Sequence, residues 1–315
     1  MKETAFKLIG LNRIRKNDGS NFYTFISESL SYIDEICKHI NEDELIKALN
    51  NNHLFFKGPY SKKKFCFLIK HINEKLLEIL HLCYQGDIIS ASNYLCKLLM
   101  YKDSAIKRNL NEYYINFFEY KFSKTPLYRM RDEKKGANVD NCWHIPYSLR
   151  HKTSLTRFSM AGIPSLYLAD SLETANLELG NIDKNYDRWV SEFCIKDEKP
   201  FLDLSIPSKQ NIEEMDDYSI LSFIITFPIR FICSIKTLHI NEKFHEEYFL
   251  SQLIYHTLFF GNHVNVLGNF VGIYYSSTKN PNGKCFVMPT KYNFPNEIYD
   301  KKLLNIFEIS NPHKL

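Results

Sequence analysis

From Phe65 onward apolar residues recur at Leu68, Ile72, Leu76, Leu80 and Cys83, three or four apart, which predicts one buried face of an α-helix. Gly86 is placed to stop that helix and Asp87 to cap the next, whose apolar positions are Ala91, Tyr94, Leu95 and Leu98. A further helix is expected through Tyr113, Tyr114, Phe117 and Phe118, ahead of Pro126, which disfavours helix at Thr125. Residues 1–122 therefore read as an all-α domain. Beyond them the pattern shortens. Apolar runs rich in β-branched and aromatic residues, over 164–168, 223–227, 270–275 and 285–288, alternate with turn signals and read as strands. Helices are expected over about 172–179 and 246–259. Strands mixed with isolated helices, with no regular βαβ rhythm, predict an α+β domain over 123–315.

Composition narrows the classes of function. A chain of 315 residues suggests about two domains and needs no disulfide or metal staple. Hydrophobic content of 44%, with 24 Phe and 20 Tyr, excludes disorder, coiled coil and collagen-like repeats. Lys and Arg exceed Asp and Glu by only four, an even mixture that does not read as a nucleic-acid-binding stripe. The eight cysteines are scattered singly, without a CxxC pair, so no metal site is expected and reduced thiols in the cytoplasm are. The greasiest segment, 220–235, is broken by Pro228 and Arg230 and is shorter than the roughly 20 residues of a membrane span. In the helical half no Arg has a His after four to six intervening residues, the spacing of HEPN-type ribonucleases, so docking, dimerisation or structural support is expected of it.

Three places in the second half hold polar residues where a plain core would not want them. In Leu127-Tyr128-Arg129-Met130-Arg131 the two arginines would share one side of a strand, an arrangement that suits a pyrophosphate and equally a solvated edge strand. In 157–180, Gly162 and Pro164 turn the chain into a buried strand, Asp170 and Glu173 have capping-box spacing, and Gly180 can end the helix. Glu178 sits in that helix's last turn among Ala175, Leu177 and Leu179, against the helix dipole, which marks either a site carboxylate or a surface one. In 272–279 a strand ends in the hydroxyls of Ser276, Ser277 and Thr278.

The order of these motifs resembles the RES domain family, named for an Arg, a Glu and a Ser. It runs from aromatic-Arg-x-Arg and His144-Ile145-Pro146, through Arg157-Phe-Ser-x-x-Gly-x-Pro-x-Leu-Tyr-Leu-Ala and Glu178, to Gly-Ile-x-Tyr-x-Ser at 272–277. The resemblance covers roughly 125–290, and Tyr248-Phe249-Leu250-Ser251-Gln252-Leu253 is similar to the helix before the family's last motif. It implies a split, strongly bent β-sheet like that of ADP-ribosyltransferases. It also implies an enzyme that degrades NAD by phosphorolysis or hydrolysis, as the toxin of a toxin–antitoxin pair or a defence effector. Protein ADP-ribosylation and an inactive interaction module are the alternatives.

Carried over by position, the resemblance gives Arg129, Glu178 and Ser277 as catalytic residues and Arg131, Arg157, Tyr167 and Tyr275 as NAD-binding ones. Arg131 stands as alternative to Arg129, and Ser276 to Ser277. His144 is read as a substrate contact or a structural histidine. NAD would be substrate rather than cofactor, with phosphate or water as acceptor. An antitoxin or regulatory protein and self-association are the partners implied, with no membrane and no direct nucleic-acid binding.

Overall fold

The computed structural model of the chain describes residues 1–11, 13–14, 21–51, 61–100, 114–134, 136–238, 244–261, 269–291 and 299–315. Packing divides the chain into two units: Met1–Phe118 with Ile206–Gly268, and Glu119–Ser205 with Asn269–Leu315. The segment Ile206–Gly268 thus belongs with the helices, where the expected division was 1–122 and 123–315.

The first unit begins with helices Lys2–Ile9, Phe22–Lys38, Glu42–Asn51, Lys62–Tyr84 and Ile88–Leu99. Side chains fix several of their starts. Asn21, Ser61 and Asp87 each accept a hydrogen bond from the amide three residues on, at 2.8, 3.4 and 3.0 Å. The expected stripe of Phe65, Leu68, Ile72, Leu76, Leu80 and Cys83 is buried throughout. Tyr113 lies outside the described residues, and Tyr114–Phe118 forms a 3-10 turn rather than an α-helix.

Residues 223–227, read above as a strand, are helical. They lie within Asp217–Ser234, which Asp216 starts by accepting from the Ser219 amide at 2.7 Å. A short apolar run does not distinguish a buried strand from a helix buried on every side, and this helix is buried from Ile220 to Ser234. Arg230 is accommodated there by a 2.7 Å bond from Nε to Thr226 Oγ1 and by the rings of Phe118 and Phe223. Among the described residues this helix alone is long and apolar enough to cross a membrane, and 83% of its apolar window is buried inside the protein. The helix Phe249–Phe259 completes the unit, preceded by the 3-10 turn Glu246–Tyr248, where a single helix over 246–259 was expected.

The second unit is α+β. Its described strands are β1 (Glu119–Phe122), β2 (Leu127–Glu133), β3 (Ser165–Ala169), β4 (Asp187–Ile195), β5 (Lys199–Asp203), β6 (Gly272–Ser276), β7 (Lys284–Pro289), β8 (Phe307–Ile309) and β9 (His313–Lys314). They form one mixed sheet in the order β1-β5-β6-β7-β3-β2-β4-β8, with β9 also on β4. Only β5 and β6 run parallel.

The two faces of this sheet carry different cores. One face packs Leu127, Leu166, Leu168, Phe193, Phe286 and Met288, with Trp143 stacked on Phe193 at 5.6 Å between ring centroids. The other packs Met130, Ala169 and Val190 against Ala175 of the helix Leu172–Leu179. Because alternate residues of a strand point to opposite faces, the register then assigns every side chain between them. Tyr167, Ala169, Tyr275 and Cys285 share the helix-covered face, whereas Arg129 and Arg131 share the face of Leu127.

Candidate functional site

Glu178 and Ser277, 99 residues apart in sequence, are joined by a 2.5 Å hydrogen bond from Ser277 Oγ to Glu178 Oε1. Each comes from a local structure that the sequence builds for its own reasons. The helix Leu172–Leu179 starts at Ser171, whose hydroxyl accepts from the Thr174 amide at 3.1 Å. The capping box expected of Asp170 and Glu173 does not form: Asp170 Oδ2 instead accepts from the Lys284 amide at 2.9 Å, tying the end of β3 to β7. Gly180 ends the helix with φ of +87°, a conformation that disfavours other residues. The helix therefore ends one residue after Glu178, and Lys279 Nζ takes up the Glu178 carbonyl at 2.7 Å.

Ser277 lies just beyond β6 and is only 6% exposed. Its hydroxyl accepts from the amides of Lys279 and Asn280, at 3.1 and 2.9 Å, while donating to the acid. With both roles filled, the hydroxyl has one orientation. Ser276 is engaged differently, by Lys284 Nζ at 2.8 Å, so of the two candidate serines Ser277 is the one bonded to Glu178.

A latch that sequence reasoning missed holds the serine turn to the helix. Asn280 Nδ2 donates to Thr174 Oγ1 at 3.0 Å, and both residues are buried. A Cβ at Gly283 would lie 2.3 Å from Thr174 Oγ1 and 2.7 Å from its Cγ2, so only glycine lets the turn approach this closely. The Asn282-Gly283 turn was visible in the sequence; its partner, a threonine inside a distant helix, was not. Gly283→Ala is expected to cost about 1–3 kcal/mol of stability by overpacking, read as a lowered urea midpoint.

Around the pair stand Tyr275, Cys285, Tyr167 and Arg157. Burial pushes the Tyr275 hydroxyl well above its ordinary pKa, with Cys285, Tyr167 and Glu178 adding to the rise and Arg157 opposing it. Cys285 is likewise pushed up, by burial and then by Glu178, whose Oε1 lies 3.9 Å from its sulfur. The Tyr167 hydroxyl is held by Thr156 Oγ1 at 2.6 Å and Ser159 Oγ at 3.2 Å, and Phe158 packs on Tyr275 with centroids 4.7 Å apart. The stretch 156–159 is thereby fastened to the site, and Arg157 is 8% exposed.

The other two arginines are placed differently. β2 and β3 meet at a single pair, Tyr128 with Ala169. One residue further on, Arg129 Nη1 donates to the Tyr167 carbonyl at 2.7 Å, a side chain taking the position of a missing strand partner. Burial, and then the charge of Arg131, pull its pKa down to about 9. Among the described residues no hydrogen bond or ion pair joins Arg129 or Arg131 to Glu178 or Ser277.

His144 is structural in this geometry. Its Nε2 accepts from the Asp300 amide at 3.0 Å and its Nδ1 lies 2.8 Å from the Ile145 carbonyl, which selects the neutral ring. Burial, first, lowers its pKa to about 4. The unfolded histidine takes up a proton below about 6.5 and the folded one only below about 4, so between these values the unfolded state binds more protons. Stability is therefore expected to fall as pH drops from about 6.5 to 4, and His144→Gln to flatten that part of a melting-temperature profile.

No protein-family profile and no solved structure matches the chain. A curated protein of Bacillus subtilis (strain 168), named "Putative toxin YopC", is 28% identical over 140 residues. The match covers 41% of this chain and 31% of that protein, so the similarity is confined to part of each and the chain spans about a third of that protein's length.

Proposed function

We propose that this chain is a NAD-consuming enzyme of RES type that cleaves the nicotinamide–ribose bond and acts as a bacterial toxin in the cytoplasm. One observation carries the reading: the 2.5 Å bond between Glu178 and Ser277, on a half-buried face with Arg157, Tyr167 and Tyr275. The partial similarity to a protein named as a toxin supports it from another side.

The chemistry suits these groups. The bond from ribose C1′ to the nicotinamide nitrogen breaks with its electron pair going to nicotinamide, which leaves neutral and needs no proton. The sugar passes through an oxocarbenium-like state, which a nearby carboxylate stabilises. Glu178 supplies that charge, and its bond to Ser277 directs one oxygen and leaves the other for the ribose hydroxyls. Arg157 faces the phosphates, and the rings of Tyr275 and Tyr167 border the nicotinamide. Arg129 acts one step removed, through the Tyr167 carbonyl it holds. Phosphate or water adds its oxygen to C1′ and gives up a proton to solvent. A protein antitoxin that covers this face, and self-association, complete the reading.

The test incubates purified protein with NAD, with and without inorganic phosphate, and identifies products. Free ADP-ribose indicates hydrolysis, ADP-ribose 1″-phosphate phosphorolysis, and labelled protein ADP-ribosyl transfer. NAD left intact under every condition would overturn the proposal.

A further inference from the structure

The serine turn meets the helix of Glu178 at two points on one side. Thr174 and Glu178 are four residues apart in the helix Leu172–Leu179, so their side chains are neighbours on its surface, one turn apart. Ser277 and Asn280 are three apart in the turn beyond β6 and pair with them one to one. Ser277 Oγ donates to Glu178 Oε1 at 2.5 Å, and Asn280 Nδ2 donates to Thr174 Oγ1 at 3.0 Å. One such bond fixes a distance. Two, a helical turn apart, also fix the angle at which the turn lies along the helix.

Each member of the second bond is itself held. Asn280 Oδ1 accepts from the Asn282 amide at 3.3 Å, which aims Nδ2 at the threonine. The Thr174 hydroxyl lies 2.7 Å from that of Ser171, the helix cap. The backbone then carries the constraint to the serine. The Asn280 amide donates to Ser277 Oγ at 2.9 Å, and the Gly283 amide donates to the Asn280 carbonyl at 3.1 Å. A shift of Asn280 therefore moves an amide that orients the hydroxyl facing the acid.

Stability alone does not call for a polar bond here. Thr174 is 0% exposed and Asn280 8%, and replacing both partners of a buried hydrogen bond by apolar groups of the same shape is close to neutral. Direction is what the polar pair adds, since a hydrogen bond weakens steeply as it bends. An acid that has to meet a ribose needs that direction, because a misplacement of about 1 Å can cost on the order of 10²-fold in rate.

We propose that Asn280 and Thr174 are positioning residues for the cleavage reaction, acting on Glu178 through Ser277 without touching the substrate. Their kinetic effect rests on the functional reading above; their hold on the serine turn does not.

The experiment compares wild type with the double variant Thr174→Val, Asn280→Leu, which exchanges the polar pair for an apolar one, and with the single variants Thr174→Val and Thr174→Ser. Urea unfolding, NAD turnover and hydrogen exchange at the Lys279 and Asn280 amides are measured on each. The double variant is expected to keep a near-native urea midpoint. Its kcat should fall roughly tenfold to a hundredfold, with KM for NAD within about twofold of wild type. Its two amides should exchange about tenfold faster or more. Thr174→Ser, which keeps the hydroxyl, should retain most of the turnover, and Thr174→Val alone should lose it if the double variant does not fold. A native kcat in the variants without the hydroxyl would overturn the assignment, and so would a loss in Thr174→Ser as large as that in Thr174→Val. Wild-type protein that leaves NAD intact would sink the functional reading instead. Faster exchange in the variants would then still show that the latch holds Ser277 against Glu178, and unchanged exchange would overturn that as well.

Discussion

Glu178→Gln should bind NAD and turn it over on the order of 10²–10³-fold more slowly than wild type, the usual loss when one preorganised charge contact is removed. The substitution is a clean probe because of what it leaves unchanged. Glutamine keeps the length of the side chain, and its carbonyl oxygen still accepts from Ser277 Oγ, the bond that spans 2.5 Å in the native protein. The Lys279 bond goes to the backbone carbonyl of residue 178 and is indifferent to the change. The latch between Thr174 and Asn280 does not involve residue 178 at all. Only the negative charge is lost. Binding measured by calorimetry should therefore stay within a few fold of wild type while turnover falls. A mutant that consumes NAD at the native rate would remove Glu178 from the chemistry.

Phe286→Ala should be the most destabilising single change in the sheet, costing about 3–5 kcal/mol. Phe286 is 0% exposed and meets three aromatic neighbours, with ring centroids 4.7 Å away at Phe122, 4.9 Å at Tyr274 and 5.1 Å at Phe201. Those neighbours come from three other strands, so the cavity left by truncation could not collapse without moving the sheet. The consequence reaches the site as well. β7 lies between β3, which leads into the Glu178 helix, and β6, which leads to Ser277. It thus sets the spacing of the acid and the serine. Urea unfolding should show a lower midpoint at an unchanged slope. A midpoint equal to that of wild type would mean that this aromatic cluster is not the centre of the core.

The contrast between the two halves of the molecule shows which features were legible before the structure. Local signals were. The helix through Phe65 and Cys83, its stop, the Asp87 cap, Gly180, and the strands over 164–168, 270–275 and 285–288 all depend on residues within a turn or two of one another. The segment 223–227 was misread because a wholly apolar run has no periodicity to show; its burial on all sides, not its composition, makes it a helix. Its membership in the first unit was equally out of reach, since a chain that leaves a unit and returns marks neither crossing in its composition.

By itself the sequence determined the class of the fold, the residues able to carry charge or a hydroxyl, and the shared face of Arg129 and Arg131, since strand alternation is a local rule. The tertiary structure alone decided that Ser277 rather than Ser276 meets Glu178, that Thr174 and Asn280 fasten them, and that the arginine pair turns to the other face, beside Ser191 and Trp189. The reason is physical. Which face a strand presents follows from its own residues, but which strand lies beside it follows from register and burial over the whole sheet.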